Sequence, residues 1–135
     1  MDLAAVMDEI GDQLDTIDGL RVYRYPPDSV SVPAAVVTYP ETITYDETMR
    51  RGMDRYPNLP VVVMVGKVSD RTSRDRIAQY ADGAGDRSVK AVVEAHTYTS
   101  LGSVRVTGAA FDIVSMGGIE YLAATFSIDI AGTGA

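Results

Sequence analysis

The chain has 135 residues, 46% of them hydrophobic and 23% charged, which is the size and composition of one compact domain with a buried core. It contains no cysteine, and this excludes disulfides and thiolate metal sites, while a net charge of −7 disfavours binding to a nucleic-acid backbone. The sequence shows neither a membrane-spanning apolar run nor the pattern of a secretory signal, so we expect a protein made in a cytoplasm, with no membrane partner.

The first segment predicts an amphipathic helix over 2–17. Its apolar residues recur at the spacing of one helix face: Leu3, Val6, Met7, Ile10, Leu14 and Ile17. From Met1 to Asp18 there are six acidic residues and no basic one. The simplest interpretation is a solvated outer face. The functional alternative is a negative surface that docks a basic partner or repels DNA.

Two short strands are predicted next, at 20–25 and 34–39, separated by prolines that cannot donate to a strand ladder. The run 61–65 is apolar at every position, which predicts a strand covered on both faces. Between them, at about 41–58, mixed charge and flanking prolines predict an extended arm or long hairpin. Because tyrosine and arginine are enriched at interfaces, we expect subunit or partner contacts in this segment, from Tyr45, Arg50, Arg51, Asp54 and Tyr56.

The second half of the chain predicts two helices and a hairpin. The helices are expected at 70–82, capped by Ser69, and at 88–95, capped by Ser88. Two strands follow, and a change of apolar parity at Gly108 indicates a bulge in the first of them. Strict alternation in the second places Leu122, Phe126 and Ile128 in the core. The prediction is therefore an α+β fold, with one domain over 1–135 and a mainly antiparallel sheet packed against about three helices.

Catalytic chemistry has little support in the sequence. A hydrolase would pair the only histidine, His96, with Ser100 or Ser103, but no G-x-S-x-G turn or orienting acid accompanies them. One histidine without cysteine is a poor zinc site. We predict no enzyme activity, no catalytic residue, no metal site and no cofactor.

Six stretches, taken in this order and spacing, resemble the tail terminator proteins of long-tailed, siphovirus-type phages that infect actinobacteria. They are 20–28 (LRVYRYPPD), 32–37 (VPAAVV), 43–52 (ITYDETMRRG), 65–71 (VGKVSDR), 85–92 (GDRSVKAV) and 104–107 (VRVT). The resemblance is to nearly the whole chain, and the stretches that carry it lie between residues 20 and 107.

The resemblance implies a β-sheet packed against helices, in subunits that assemble as a ring of six. Such a ring sits on the end of the tail tube, stops its growth and presents a surface to the head-side connector or stopper protein. It implies a non-enzymatic virion protein, located at the neck and assembled in the host cytoplasm, through which DNA passes without specific binding. The alternatives are another neck component, such as a head–tail connector or tail-completion protein, and a small hydrolase or ligand-binding domain.

Overall fold

Three helices and five strands follow one another in the described residues of the computed structural model, which are 1–46, 53–68, 70–116 and 118–133. In chain order they are α1 (Leu3–Leu14), β1 (Arg21–Tyr23), β2 (Ala34–Val37), β3 (Met53–Lys67), α2 (Arg71–Ala81), α3 (Val89–Ala95), β4 (Ser103–Met116) and β5 (Ile119–Thr133). The predicted helices are confirmed, each within three residues of its expected ends.

Each helix begins at a residue whose side chain accepts hydrogen bonds from the first turn. The Asp2 carboxylate accepts from the Ala4 amide at 3.1 Å, and the Ser88 hydroxyl accepts from the Ala91 amide at 3.1 Å. The cap of α2 is Asp70, whose carboxylate accepts from the Thr72 amide at 3.0 Å. The prediction that Ser69 caps this helix is therefore wrong by one residue, because Asp70 is as good an acceptor and lies next to the first helical residue.

The strands form one mixed sheet in the order β1-β2-β3-β5-β4. β1 and β2 are parallel, whereas the other three pairs are antiparallel. The predicted class, a single-domain α+β fold with a mainly antiparallel sheet and three helices, is confirmed.

All three helices pack on one face of this sheet. α1 lies against β1 and β2, α2 against β3 and β5, and α3 against β4. The core between helices and sheet holds the apolar stripe of α1 and the inward residues of the long strands. Phe126 and Ile128 are buried here as predicted, while Leu122 is half-buried at the margin of the core.

The opposite face of the sheet is also covered near its centre. Met64, only 1% exposed, packs there with Val36, Tyr121 and Ala123. Val30 and Val32, from the loop between β1 and β2, pack on this cluster. The chain thus covers the apolar run 61–65 on both faces by itself.

The strand that contains this run is much longer than predicted. β3 begins at Met53, inside the segment expected to be an arm, and continues through Pro57 and Pro60. Its pairing with β5 shifts register between Tyr56 and Leu59, and this irregularity accommodates Pro57 because ladder hydrogen bonds are interrupted there. Pro60 lies beyond the shift, opposite Ser127. The second half of the predicted arm is therefore part of the sheet.

β4 and β5 form the predicted antiparallel hairpin, with the register shift that the parity change indicated, between Val106 and Gly108. The bulge has a clear consequence. It keeps Ala109, Phe111 and Ile113 on the same sheet face as Val106, because each pairs with a core-side residue of β5. β4 is an edge strand, and from 107 to 113 its residues are exposed.

The two phenylalanines provide a matched test of this burial. Replacing Phe126, which is 2% exposed, by alanine should cost about 3–5 kcal/mol of unfolding free energy, since it leaves a cavity in the core. Phe111 is 59% exposed, and its replacement by alanine should cost less than about 1 kcal/mol in dilute solution. Urea unfolding of both variants measures the difference. Similar costs for the two would show that the assignment of the core face is wrong.

Candidate functional site

The only histidine belongs to a cluster built around a carboxylate of α1. Glu9, with a side chain 16% exposed, accepts a hydrogen bond from the Ser100 hydroxyl at 2.6 Å. It also accepts from the backbone amides of Thr99, at 3.1 Å, and Ser100, at 2.9 Å. The His96 ring contributes Nε2 at 3.0 Å from the second carboxylate oxygen. One carboxylate thus holds the loop between α3 and β4 against α1.

These hydrogen bonds determine the charge state of Glu9. Burial alone would raise its pKa, but the bonds from the Ser100 hydroxyl and the amides of Ser100 and Thr99, with a further one from His96, outweigh burial and lower the pKa to about 2. The carboxylate is therefore ionised at neutral pH, and it is a very weak base.

This geometry does not support the hydrolase alternative at His96. A serine nucleophile needs a base that receives its proton, normally the imidazole itself. Here the Ser100 hydroxyl donates to Glu9, and His96 bonds to the same carboxylate. The structure brings His96 and Ser100 together, but both bond to Glu9 and so hold the loop between α3 and β4 against α1. We call Glu9 with His96, Thr99 and Ser100 the loop clamp. Sequence analysis missed Glu9 because its partners lie 87 to 91 residues away along the chain.

An open groove of about 610 Å³ lies beside α3, close in sequence to His96. Its walls come from Thr16 and Asp18 in the segment after α1, the turn at 85–87 and the outer side of α3. Glu9, His96 and Ser100 do not line it. The clamp and the groove are therefore separate features.

The residues predicted to contact a partner fall into three groups. Tyr45 is 69% exposed, and Asp54 is half-buried at the start of β3. Tyr56 is only 3% exposed and belongs to the core, so it offers a partner almost no surface. Arg50 and Arg51 lie outside the described residues.

The described residues that flank 47–52 run antiparallel to each other. Thr44 and Arg55 exchange backbone hydrogen bonds at 2.8 Å, so the chain at 41–46 runs back along the start of β3. The Arg55 guanidinium donates to Asp129 of β5 at 2.8 Å. That bond lowers the pKa of the Asp129 carboxyl and ties the start of β3 to β5.

Apolar side chains left uncovered on β4 are the feature that sequence analysis did not anticipate. Phe111 and Ile113 are 59% and 50% exposed, although they share a sheet face with the core. The alternation of β4 was visible in the sequence, but alternation alone does not show where helical cover ends. An exposed edge strand with apolar side chains is a ready site for another chain.

The acidic face of α1 is exposed to solvent, in agreement with the simpler interpretation of its sequence as a solvated outer face. Asp8, Asp12 and Asp15 are all exposed. Asp12 forms an ion pair with Arg24 at 2.5 Å, and Asp15 lies 3.9 Å from the same guanidinium. Because these groups are open to solvent, the pairs contribute little to stability, and the face remains predominantly negative.

Two further observations concern the described part of the chain. None of its helices is long and apolar enough to cross a bilayer. Nor do three or more of its His, Asp and Glu side chains converge in a group that could hold a metal ion.

No known protein family matches this sequence, and no curated protein is significantly similar to it.

The clamp predicts a specific dependence of stability on pH. Glu9→Gln should lower the unfolding free energy by about 2–3 kcal/mol at pH 7, because it removes a charge that several donors satisfy. The pKa of Glu9 is lower in the folded chain than its ordinary value of 4.5, so this stabilisation is complete above about pH 5 and declines as the pH falls toward 2. Urea unfolding of both proteins between pH 7 and pH 2.5 measures it.

Glu120→Gln, at an exposed position on β5, is the matched control and should change stability little at any pH. A stability difference between wild type and Glu9→Gln that stays constant down to pH 2.5 would contradict the clamp.

Proposed function

We propose that this protein is a phage tail terminator, a non-enzymatic virion protein that caps the end of the tail tube, stops its polymerisation and forms the joining surface to the head-side connector. The observation that carries the proposal is the uncovered apolar face of the edge strand β4. Phe111 and Ile113 continue the core face beyond the helices, and burying such side chains against another chain is favourable. The resemblance of six stretches of sequence gives the class of assembly in which that face is used.

The mechanism requires no bond-making chemistry. A ring of six copies that matches the symmetry of the tube on one face, and presents a different surface on the other, occupies the growing end without offering a site for the next tube ring. The arrangement of Glu9, His96 and Ser100 as a loop clamp fits this account, since it rigidifies the subunit. The partners are then other copies of the chain, the tube protein and the connector.

Charge supports the proposed role at the neck. The net charge is −7, and the exposed face of α1 is acidic. A ring with this excess of negative charge lets DNA pass without holding it, because phosphates are repelled at short range and screened beyond about 10 Å. The proposed location is the virion, at the junction of tail and head.

A second neck role is the nearest alternative, because a head–tail connector or tail-completion protein also needs exposed assembly surfaces and no catalysis. The two roles differ in their effect on tail length. Only a terminator sets the point at which tube growth ends.

The predicted contact residues at 41–58 give a prediction about assembly. Arg50→Glu combined with Arg51→Glu should weaken ring or tube association while leaving the monomer folded, because arginine is enriched at contacts between chains and charge reversal there disfavours association. Sedimentation velocity measures association, and circular dichroism monitors the fold.

Arg87→Glu, a charge reversal at an exposed position in the turn before α3, is the control and should associate like wild type. Unchanged association of the double variant would show that Arg50 and Arg51 are not part of the interface.

The proposed function itself predicts a particular defect in phage assembly. Phage lacking this protein should produce DNA-filled heads without attached tails, together with tail tubes of uncontrolled length, because nothing occupies the growing end. Electron microscopy of infected-cell lysates measures both, and supplying the protein from a plasmid should restore normal virions. Free tails of uniform, normal length in the mutant would reject the terminator role and favour the connector alternative.

A further inference from the structure

Two exposed apolar side chains of β4, Phe111 and Ile113, project from the sheet. Phe111 pairs with Ala124, and Ile113 pairs with Leu122, so both side chains point to the helix side of the sheet. Neither is covered, since both are at least half exposed. We call these two residues the β4 knob.

An apolar groove lies at the other side of the domain. It encloses about 420 Å³ between the first turns of α1 and the loops that follow β1 and β2. Leu3, Ala4 and Met7 line its floor, and it is flanked by Tyr25, 67% exposed, and Tyr39, 60% exposed. Exposed tyrosines beside an apolar floor are typical of surfaces that bind another chain. We call this the α1 groove.

The fold keeps the knob and the groove apart. β4 is one edge strand of the sheet, and β1, next to the groove, is the other. Four strand spacings separate them, which is about 19 Å. A knob therefore cannot reach the groove of its own chain, but it can reach that of a neighbouring copy.

The charges beside the two features are opposite. α2 carries three arginines and one aspartate, and Arg71, Arg74 and Arg76 are exposed. The side chain of Ser73, on the same helix, lies over Gly66 of β3. Gly66 is opposite Leu122 of β5, and Leu122 is opposite the knob residue Ile113, so the three lie in one row across the sheet. The basic helix thus flanks the knob.

The groove has the acidic helix beside it. α1 carries three acidic residues and no basic one, and Asp8 lines the groove itself. Arg24 also lines the groove, but its charge is paired with Asp12 of α1. A surface with an apolar projection and basic flank therefore matches, in both chemistry and charge, a second surface of the same chain with an apolar recess and acidic flank.

We propose that the β4 knob of one copy occupies the α1 groove of the next copy, with α2 of the first facing α1 of the second. A contact between two different surfaces of one chain is heterologous, and it closes into a ring when the rotation between copies is right. The inference rests on the proposed function, since it names the contact between neighbouring subunits of the ring. Symmetric pairing of β4 with β4 would instead give only a closed dimer.

Two variants test the knob and the groove separately, and neither changes a buried residue of the core. Phe111→Ser with Ile113→Ser removes the knob, and Ala4→Trp fills the groove from an exposed position. Each should raise the dissociation constant of self-association by about ten- to a hundredfold, because the apolar anchors no longer become buried. Ile119→Ser, at another exposed apolar position on the same hairpin, is the control and should associate like wild type. Light scattering coupled to size-exclusion chromatography measures mass, and urea unfolding checks each fold.

Mixing the two defective proteins is the decisive step. Each retains one intact surface, so knob-deficient and groove-filled chains should form a one-to-one dimer and stop there. If both variants form the same rings as wild type, the assignment of this contact is wrong, whereas the proposed ring is unaffected. Loss of tube binding with unchanged rings in the knob variant would assign the knob to the tube protein and also overturn it. Wild type that is monomeric both in solution and on purified tubes would overturn this inference together with the ring of the proposed function.

Discussion

The antiparallel pairing of β3 with β5 is the interaction on which the rest of the structure depends. It runs from Met53 opposite Thr133 to Lys67 opposite Tyr121, and each strand has 15 residues. The helices bury their apolar faces on this pair and its neighbours, and the opposite face receives the loop between β1 and β2. At about 3.3 Å per residue the pair is roughly 50 Å long, which is more than three short helices can cover. Uncovered apolar surface at one end is a direct consequence.

That consequence connects the fold to assembly. Exposed apolar side chains on an edge strand either promote aggregation or form a binding surface. Natural edge strands usually carry charges or prolines, which block pairing with another chain. From 107 to 113, β4 has one charged residue, Asp112, and no proline. Phe111 and Ile113 are therefore placed where a second chain gains free energy by covering them. The groove beside α1 supplies a matching surface on the same molecule.

Much of the fold was predictable from local pattern, and the rest depended on contacts that local pattern does not encode. Helical spacing located α1, the Ser88 cap located α3, and alternation placed Phe126 and Ile128 in the core. The expected position of α2 was correct to within one residue, although its cap is Asp70. The length of β3 was missed because Pro57 and Pro60 were interpreted as breaks, whereas Pro57 lies in a register shift of the pairing with β5 and Pro60 is paired opposite Ser127. Glu9 was missed because its hydrogen-bonding groups come from a distant loop. Tyr56 was placed at an interface, although it is buried in the core. The exposure of Phe111 depends on where the helices end, which no single segment reveals.

The central claim, that this protein occupies the junction between tail tube and head, is tested most directly by locating it in the virion. Purified phage labelled with gold-conjugated antibody against the chain can be imaged by electron microscopy, with detached tails as a second specimen. The account predicts one cluster of label per particle, at the head–tail junction of intact virions and at the head-proximal end of the detached tails. Label at the distal tip, along the length of the tube, or on neither specimen would contradict it.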